Sequence, residues 1–181
     1  PNIIFADTEN LEEAAKVSTM GIFRNSGEVC VAGSRLLVED KIHNEFLKLV
    51  SEYSQKLKIG DPLEIENDVG AINSLSQLQS DLGFVEKAKS EGGNIEIGGN
   101  RILESSGGFY MEPTIISSVK QDTEVFQNEV FGPILTVTAF SNEDEAIKLA
   151  NGTDFGLASG IWTSNLSRAH RMAVSYTHLR A

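Results

Sequence analysis

Ser34-Arg35-Leu36-Leu37-Val38-Glu39-Asp40-Lys41-Ile42-His43-Asn44-Glu45-Phe46-Leu47-Lys48-Leu49-Val50 changes its period halfway along. Leu36-Leu37-Val38 is a short unbroken apolar run inside Ser34–Glu39, the pattern of a buried strand. From Lys41 to about Lys58 the apolar residues Ile42, Phe46, Leu49, Val50, Tyr53 and Leu57 recur by steps of three and four, which is the stripe of an amphipathic helix. Gly60-Asp61-Pro62 then breaks it.

The same alternation continues on both sides. Upstream, Ile3-Ile4-Phe5 reads as a strand closed by Asp7 and Thr8, which are expected to cap a helix over Asn10–Arg24 with Leu11, Ala14, Ala15, Ile22 and Phe23 on its apolar face. Downstream, Leu75–Ser90 is a second amphipathic helix ended by Gly92-Gly93, followed by a strand at Asn94–Ile97 and a Gly98-Gly99-Asn100 turn. Arg101–Gly108 has no period and reads as a loop. Thr114–Ile116 and Ile134–Phe140 are strands, the second rich in β-branched residues. Ser141-Asn142-Glu143-Asp144 offers a cap with acidic first-turn residues for a helix to about Ala150. Ala158–Thr163 is a further strand, and Asn165 opens a last helix. Strands alternating with helices of this length predict βαβ units: an α/β fold with a mainly parallel sheet and helices on both faces. No linker divides the chain into two domains.

Composition excludes several function classes. A net charge of −11, from 15 basic against 26 acidic residues with no dense basic run, argues against a nucleic-acid partner. No apolar run approaches the ~18 residues of a membrane span, and no charged-then-apolar leader opens the chain. A lone cysteine fits a reducing compartment, so a cytoplasmic location is expected. The sequons Asn151-Gly152-Thr153 and Asn165-Leu166-Ser167 read as chance matches.

That cysteine, Cys30, lies in Phe23-Arg24-Asn25-Ser26-Gly27-Glu28-Val29-Cys30-Val31-Ala32-Gly33-Ser34-Arg35. The small residues around it let the backbone turn tightly and leave room for a carbon atom to approach the sulfur. Taken alone, a single thiol is more often a buried small hydrophobe than a nucleophile. A second cluster, Glu129-Val130-Phe131-Gly132-Pro133-Ile134-Leu135, changes that reading. Gly27-Glu28-Val29-Cys30 with Ser34-Arg35, and then this cluster, resemble the aldehyde dehydrogenase superfamily. Pro1–Asp7, Gly108-Phe109-Tyr110-Met111-Glu112-Pro113-Thr114 and Asn151-Gly152-Thr153-Asp154-Phe155-Gly156-Leu157 match further segments of the family in the right order.

The resemblance covers residues 1–173 and implies the cysteine-bearing catalytic domain of a longer NAD(P)-dependent enzyme, a homo-oligomer when full length, acting on a small-molecule aldehyde. It implies that Cys30 is the catalytic nucleophile, forming a thiohemiacetal and then a thioester, with its own N–H as part of an oxyanion hole. Glu129 would bind the hydroxyls of the nicotinamide ribose, a task that suits a carboxylate's paired acceptors, and Phe131 would pack near the nicotinamide. The family's dinucleotide-binding domain, general-base glutamate and oxyanion asparagine are expected upstream of Pro1. Residues 174–181 stop matching, and Ser175–Ala181 looks like translated sequencing adapter, a non-native tail.

Other residues carry less. Glu28 stands where many family members have glutamine. Its carboxylate would either raise the Cys30 thiol pKa by repulsion or hydrogen-bond a backbone N–H. Arg35 matches a family arginine of structural rather than catalytic character, or a plain ion-paired strand residue. His43, His170 and His178 have no partner at metal-ligand spacing, so no metal is expected. Gly92-Gly93 and Gly98-Gly99 spell no phosphate-binding loop. Two alternatives stay open: a CoA-acylating semialdehyde dehydrogenase, and a non-catalytic module of the same fold.

Overall fold

The computed structural model describes residues 1–176. Its elements in chain order are β1 (Asn2–Ile4), α1 (Leu11–Phe23), β2 (Arg35–Glu39), α2 (His43–Gln55), α3 (Leu75–Ser90), β3 (Asn94–Ile97), β4 (Arg101–Ile102), β5 (Tyr110–Met111), β6 (Thr114–Ser117), α4 (Glu124–Gln127), β7 (Ile134–Phe140), α5 (Glu143–Ala150), β8 (Gly160–Trp162) and α6 (Leu166–Ser175). Six strands form one sheet in the order β3-β6-β7-β2-β1-β8. Every neighbouring pair is parallel except β3 with β6, which is antiparallel at the edge.

Period-two alternation assigns the core to two faces. Ile4, Leu36, Val38, Ile115, Leu135 and Val137 pack with Ala14, Ala15, Ile22 and Phe23 of α1 and Phe46 and Val50 of α2. Ile3, Phe5, Leu37, Ile116, Ile134 and Phe140 face the other way, against Leu78 and Val85 of α3, Ala146 of α5 and Met172 of α6. Helices thus cover both faces, and the central strands are largely apolar because most of their side chains are shielded from water. Caps fix the helix starts. Asn10, Ser74, Asn142 and Asn165 each accept a hydrogen bond from a first-turn backbone N–H, at 2.9, 3.2, 3.0 and 3.0 Å respectively.

Two local expectations are corrected. Arg101–Gly108 is not simply a loop: β4 pairs antiparallel with β5 in a separate two-stranded ribbon, and Leu103 turns the chain with φ of 51°. Asp7 and Thr8 do not cap α1, since Asn10 does. Asp7 instead accepts from Thr163 and Arg168, and the Thr8 hydroxyl donates to the Trp162 carbonyl, tying the end of β1 to the end of β8. Helix α6 runs to Ser175. Tyr176 is buried and donates its hydroxyl to the Ala158 carbonyl at 3.2 Å. His178 and the rest of the expected tail beyond Tyr176 lie outside the described residues. Among the described residues no helix is long and apolar enough to cross a membrane.

Candidate active site

Parallel strands bring the loops that precede them to the same end of the sheet. The segments entering β7, β2 and β8 carry Glu129–Gly132, Val29–Ser34 and Thr153–Ala158, and β7, β2, β1 and β8 are consecutive neighbours. These loops converge on a cleft of about 240 Å³ lined by Cys30, Glu129, Phe131, Thr153, Phe155 and Leu157, among others. The three residues singled out in the sequence, Cys30, Glu129 and Phe131, therefore share one wall-to-wall site although two loops far apart in the chain supply them. The cleft lies at the amino ends of the strands. Open α/β sheets commonly hold ligands at the carboxyl ends, so here only the placement at one end of the sheet was foreseeable from that rule.

Cys30 is exposed and free, not a buried hydrophobe. The turn that presents it closes with the Ala32 N–H donating to the Val29 carbonyl at 2.9 Å, which leaves Cys30 and Val31 at the tip. Among the described residues no hydrogen bond uses the Cys30 N–H. The approach to this turn is strained: Asn25, Ser26 and Gly27 have φ of 54°, 55° and 73° in succession, a region that side-chain-bearing residues avoid. Side chains over-determine the strain. The Ser26 hydroxyl donates to the Gly70 carbonyl at 2.8 Å, and the Asn25 amide donates to the Glu28 carbonyl at 3.1 Å.

Glu28 takes the second of the two courses open to it. Its carboxylate accepts from the Asn73 backbone N–H at 3.1 Å and from the Asn73 side-chain amide at 2.7 Å. Ser74, the next residue, caps α3. The cysteine turn is thereby fastened to the start of that helix. Arg35 is buried and serves structure, and among the described residues it makes no ion pair. Its guanidinium forks onto the last carbonyls of α5, Leu149 at 3.1 Å and Ala150 at 3.0 Å, and lies 5.0 Å over the Phe126 ring. A cation at a helix C-terminus satisfies carbonyls that have no partner within the helix.

Phe131 adopts φ of 60° and is 37% exposed, so its ring faces the cleft instead of the core. Glu129 is exposed, and among the described residues no hydrogen bond or ion pair engages its carboxylate. Two groups that sequence reasoning passed over hold this segment. The Gln77 amide of α3 donates to the Val130 carbonyl at 2.9 Å and to Asp81 Oδ1 at 2.8 Å. Asp81 is fully buried, with its carboxyl against Gly132. Its position was detectable: Leu78, Asp81, Val85 and Ala88 are spaced three, four and three apart, so Asp81 sits on the buried stripe of its own helix. Beside Cys30, Val17, Met20, Val29 and Val31 form an exposed apolar shoulder.

A sequence profile of the aldehyde dehydrogenase family matches residues 1–177. The chain belongs to the aldehyde dehydrogenase family. A betaine aldehyde dehydrogenase of Bacillus subtilis is 41% identical over 96% of this chain and 36% of its own length. The aldehyde dehydrogenase KauB from Pseudomonas aeruginosa superposes with a TM-score of 0.96 at 44% identity, over 98% of this chain and 36% of that one. An indole-3-acetaldehyde dehydrogenase crystallised with NAD+ gives a TM-score of 0.96 at 42% identity, again over 98% and 36% of the two chains. This segment of the family thus spans about a third of the length of the relatives it matches.

Proposed function

We propose that this aldehyde dehydrogenase segment carries the nucleophile and part of the nicotinamide site of an NAD(P)-dependent enzyme that oxidises an aldehyde to a carboxylic acid. The observation that carries the reading is the convergence of Cys30, Glu129 and Phe131 on one cleft. The groups suit a nicotinamide ribose: an exposed carboxylate whose acceptor oxygens no hydrogen bond engages among the described residues shares the cleft with an aromatic ring and an exposed thiol. When bound, the cofactor supplies a hydride acceptor.

Cys30 attacks the aldehyde carbon through Sγ as the thiolate. A C–S bond forms and the carbonyl π pair moves onto oxygen, giving a thiohemiacetal anion. The Cys30 N–H, which no hydrogen bond engages among the described residues, donates to that oxygen, where a donor acts on charge as it develops. Collapse of the anion restores C=O and expels the C–H pair as hydride, leaving a thioester on Cys30. Water then adds to the thioester carbon, losing a proton to a base, and the Cys30 thiolate departs as the acid is released. Glu129 orients by accepting hydrogen bonds from the ribose hydroxyls, and Phe131 limits how the ring sits. The apolar shoulder of Val17, Met20, Val29 and Val31 offers contact to an aldehyde's side chain.

The test is Cys30→Ala in the full-length protein that carries this segment. NAD(P) reduction with aldehydes is expected to vanish while circular dichroism stays unchanged. Substantial turnover by that variant would overturn the assignment.

A further inference from the structure

Helix α3 carries an acid where its own pattern calls for an apolar side chain. Asp81 has no exposed surface and lies between Leu78 and Val85 on the buried stripe. One turn earlier, Gln77 commits both amide hydrogens, one to Asp81 Oδ1 at 2.8 Å and one to the Val130 carbonyl at 2.9 Å. Both partners are acceptors here, so the orientation of the amide is fixed by Asp81 as much as by Val130. Among the described residues Asp81 Oδ2 has no hydrogen-bond partner, and the carboxyl covers Gly132 so closely that a Cβ there would overlap it. An unpartnered buried carboxyl oxygen in a helix that needs an apolar residue is costly and wants an explanation.

We propose that Asp81 is a positioning residue for the Glu129–Gly132 segment: it fixes the Gln77 amide under the Val130 carbonyl, fills the space over Gly132, and so sets where the Glu129 carboxylate and Phe131 ring stand relative to Cys30. The inference rests on reading Glu129 and Phe131 as cofactor contacts. The groups facing Asp81 are Gln77 of its own helix, the Val130–Gly132 backbone, and the Glu28 carboxylate of the cysteine turn, which is the charged one and of like sign. Burial pushes the Asp81 carboxyl up to about 7; the Gln77 hydrogen bond works against the rise and Glu28 adds to it. Near neutral pH the group therefore passes between a neutral form and a buried anion lying under the segment.

The test compares Asp81→Leu, Asp81→Asn and Glu129→Gln in the full-length protein, following single-turnover hydride transfer and NAD(P) affinity across neutral pH. Asp81→Leu removes the acceptor that orients Gln77 and is expected to slow hydride transfer on the order of 10-fold or more, since small misplacements are costly. Asp81→Asn keeps the acceptor without the charge. It should recover most of the rate and remove the part of the pH profile centred near 7. Wild-type hydride transfer in Asp81→Leu, with Glu129→Gln impaired, would overturn the positioning role and leave the cofactor reading standing. Wild-type behaviour of Glu129→Gln would remove both. If Asp81→Leu fails to fold, the Asp81→Asn pH profile decides, and a profile identical to wild type overturns the proposal.

Discussion

The carbonyl oxygen of Gly132 occupies the space that a side chain on Gly27 would need. The loop that ends in Cys30 and the loop that holds Glu129 and Phe131 therefore meet backbone to backbone, without side chains between them. Gly27 also has φ of 73°, so an L residue there is strained as well as overlapped. This contact is what allows a thiol and a carboxylate from distant parts of the chain to face one cleft.

Gly27→Ala is expected to force these loops apart. Overpacking costs roughly 1–3 kcal/mol and a left-handed backbone adds about 1 kcal/mol more for a residue with a Cβ. Thermal unfolding should report the loss as a lowered midpoint, and hydride transfer in the full-length protein should fall further than stability alone explains. A Gly27→Ala variant as stable and active as wild type would show that the loops do not need this approach.

Glu28 and Asn73 join the cysteine turn to the start of α3 through hydrogen bonds of 3.1 and 2.7 Å. Replacing Glu28 by alanine leaves the Asn73 N–H without this acceptor and frees the turn. A cost of about 1.5–3 kcal/mol is expected for hydrogen bonds to a charged group. Hydrogen exchange should speed up at the Ala32 N–H, which closes the turn onto the Val29 carbonyl, while the centre of α3 stays protected. Unchanged exchange at the turn would mean that Ser26 and Asn25 suffice to hold it.

Asp81 makes stability depend on pH in a definite direction. Its folded pKa of about 7 lies above the ~3.9 of an aspartate in an unfolded chain. The folded chain binds this proton more tightly, so the contribution is fully present below about pH 4 and is lost as pH rises through the folded pKa near 7. The full effect is on the order of 4 kcal/mol. Urea unfolding of wild type and Asp81→Asn, taken as a difference at each pH, should show the asparagine variant gaining on wild type from acid to neutral pH. A constant difference would mean that Asp81 binds its proton equally in the folded and unfolded chain.

Much of the fold was legible because its signals are local and repeated. Leu75–Ser90 and Asn94–Ile97 match the sequence reading residue for residue, the helix fixed by the Ser74 cap and the run into Gly92-Gly93. Ile134–Phe140 is likewise unmistakable, a β-branched run too short for a helix. The β4–β5 ribbon escaped because two-residue strands have no period to detect and Leu103 takes a conformation its side chain disfavours. In the cleft, Cys30, Glu129 and Phe131 were singled out through motif resemblance, since nothing in their spacing brings them together; the parallel order of β7 and β2 does that. Gln77 and Asp81 act through contacts across the fold, and only the interruption of an apolar stripe betrays Asp81 in the sequence.

The 181-residue chain on its own is expected to be alkylated by iodoacetamide but not to oxidise aldehydes. Cys30 is exposed at the tip of its turn, and a thiolate needs no cofactor to attack iodoacetamide. Hydride transfer requires a nicotinamide held beside the reacting carbon. The described residues offer that cofactor one carboxylate and one ring in a cleft of about 240 Å³, with no Gly-rich phosphate loop. The exposed shoulder of Val17, Met20, Val29 and Val31 should also favour self-association of the isolated chain, as contiguous apolar surface does. Mass spectrometry after iodoacetamide should find one adduct, at Cys30. Absorbance assays with NAD, NADP and several aldehydes should stay flat. Robust cofactor reduction by this chain alone would show that Glu129 and Phe131 hold the nicotinamide without help from any other domain.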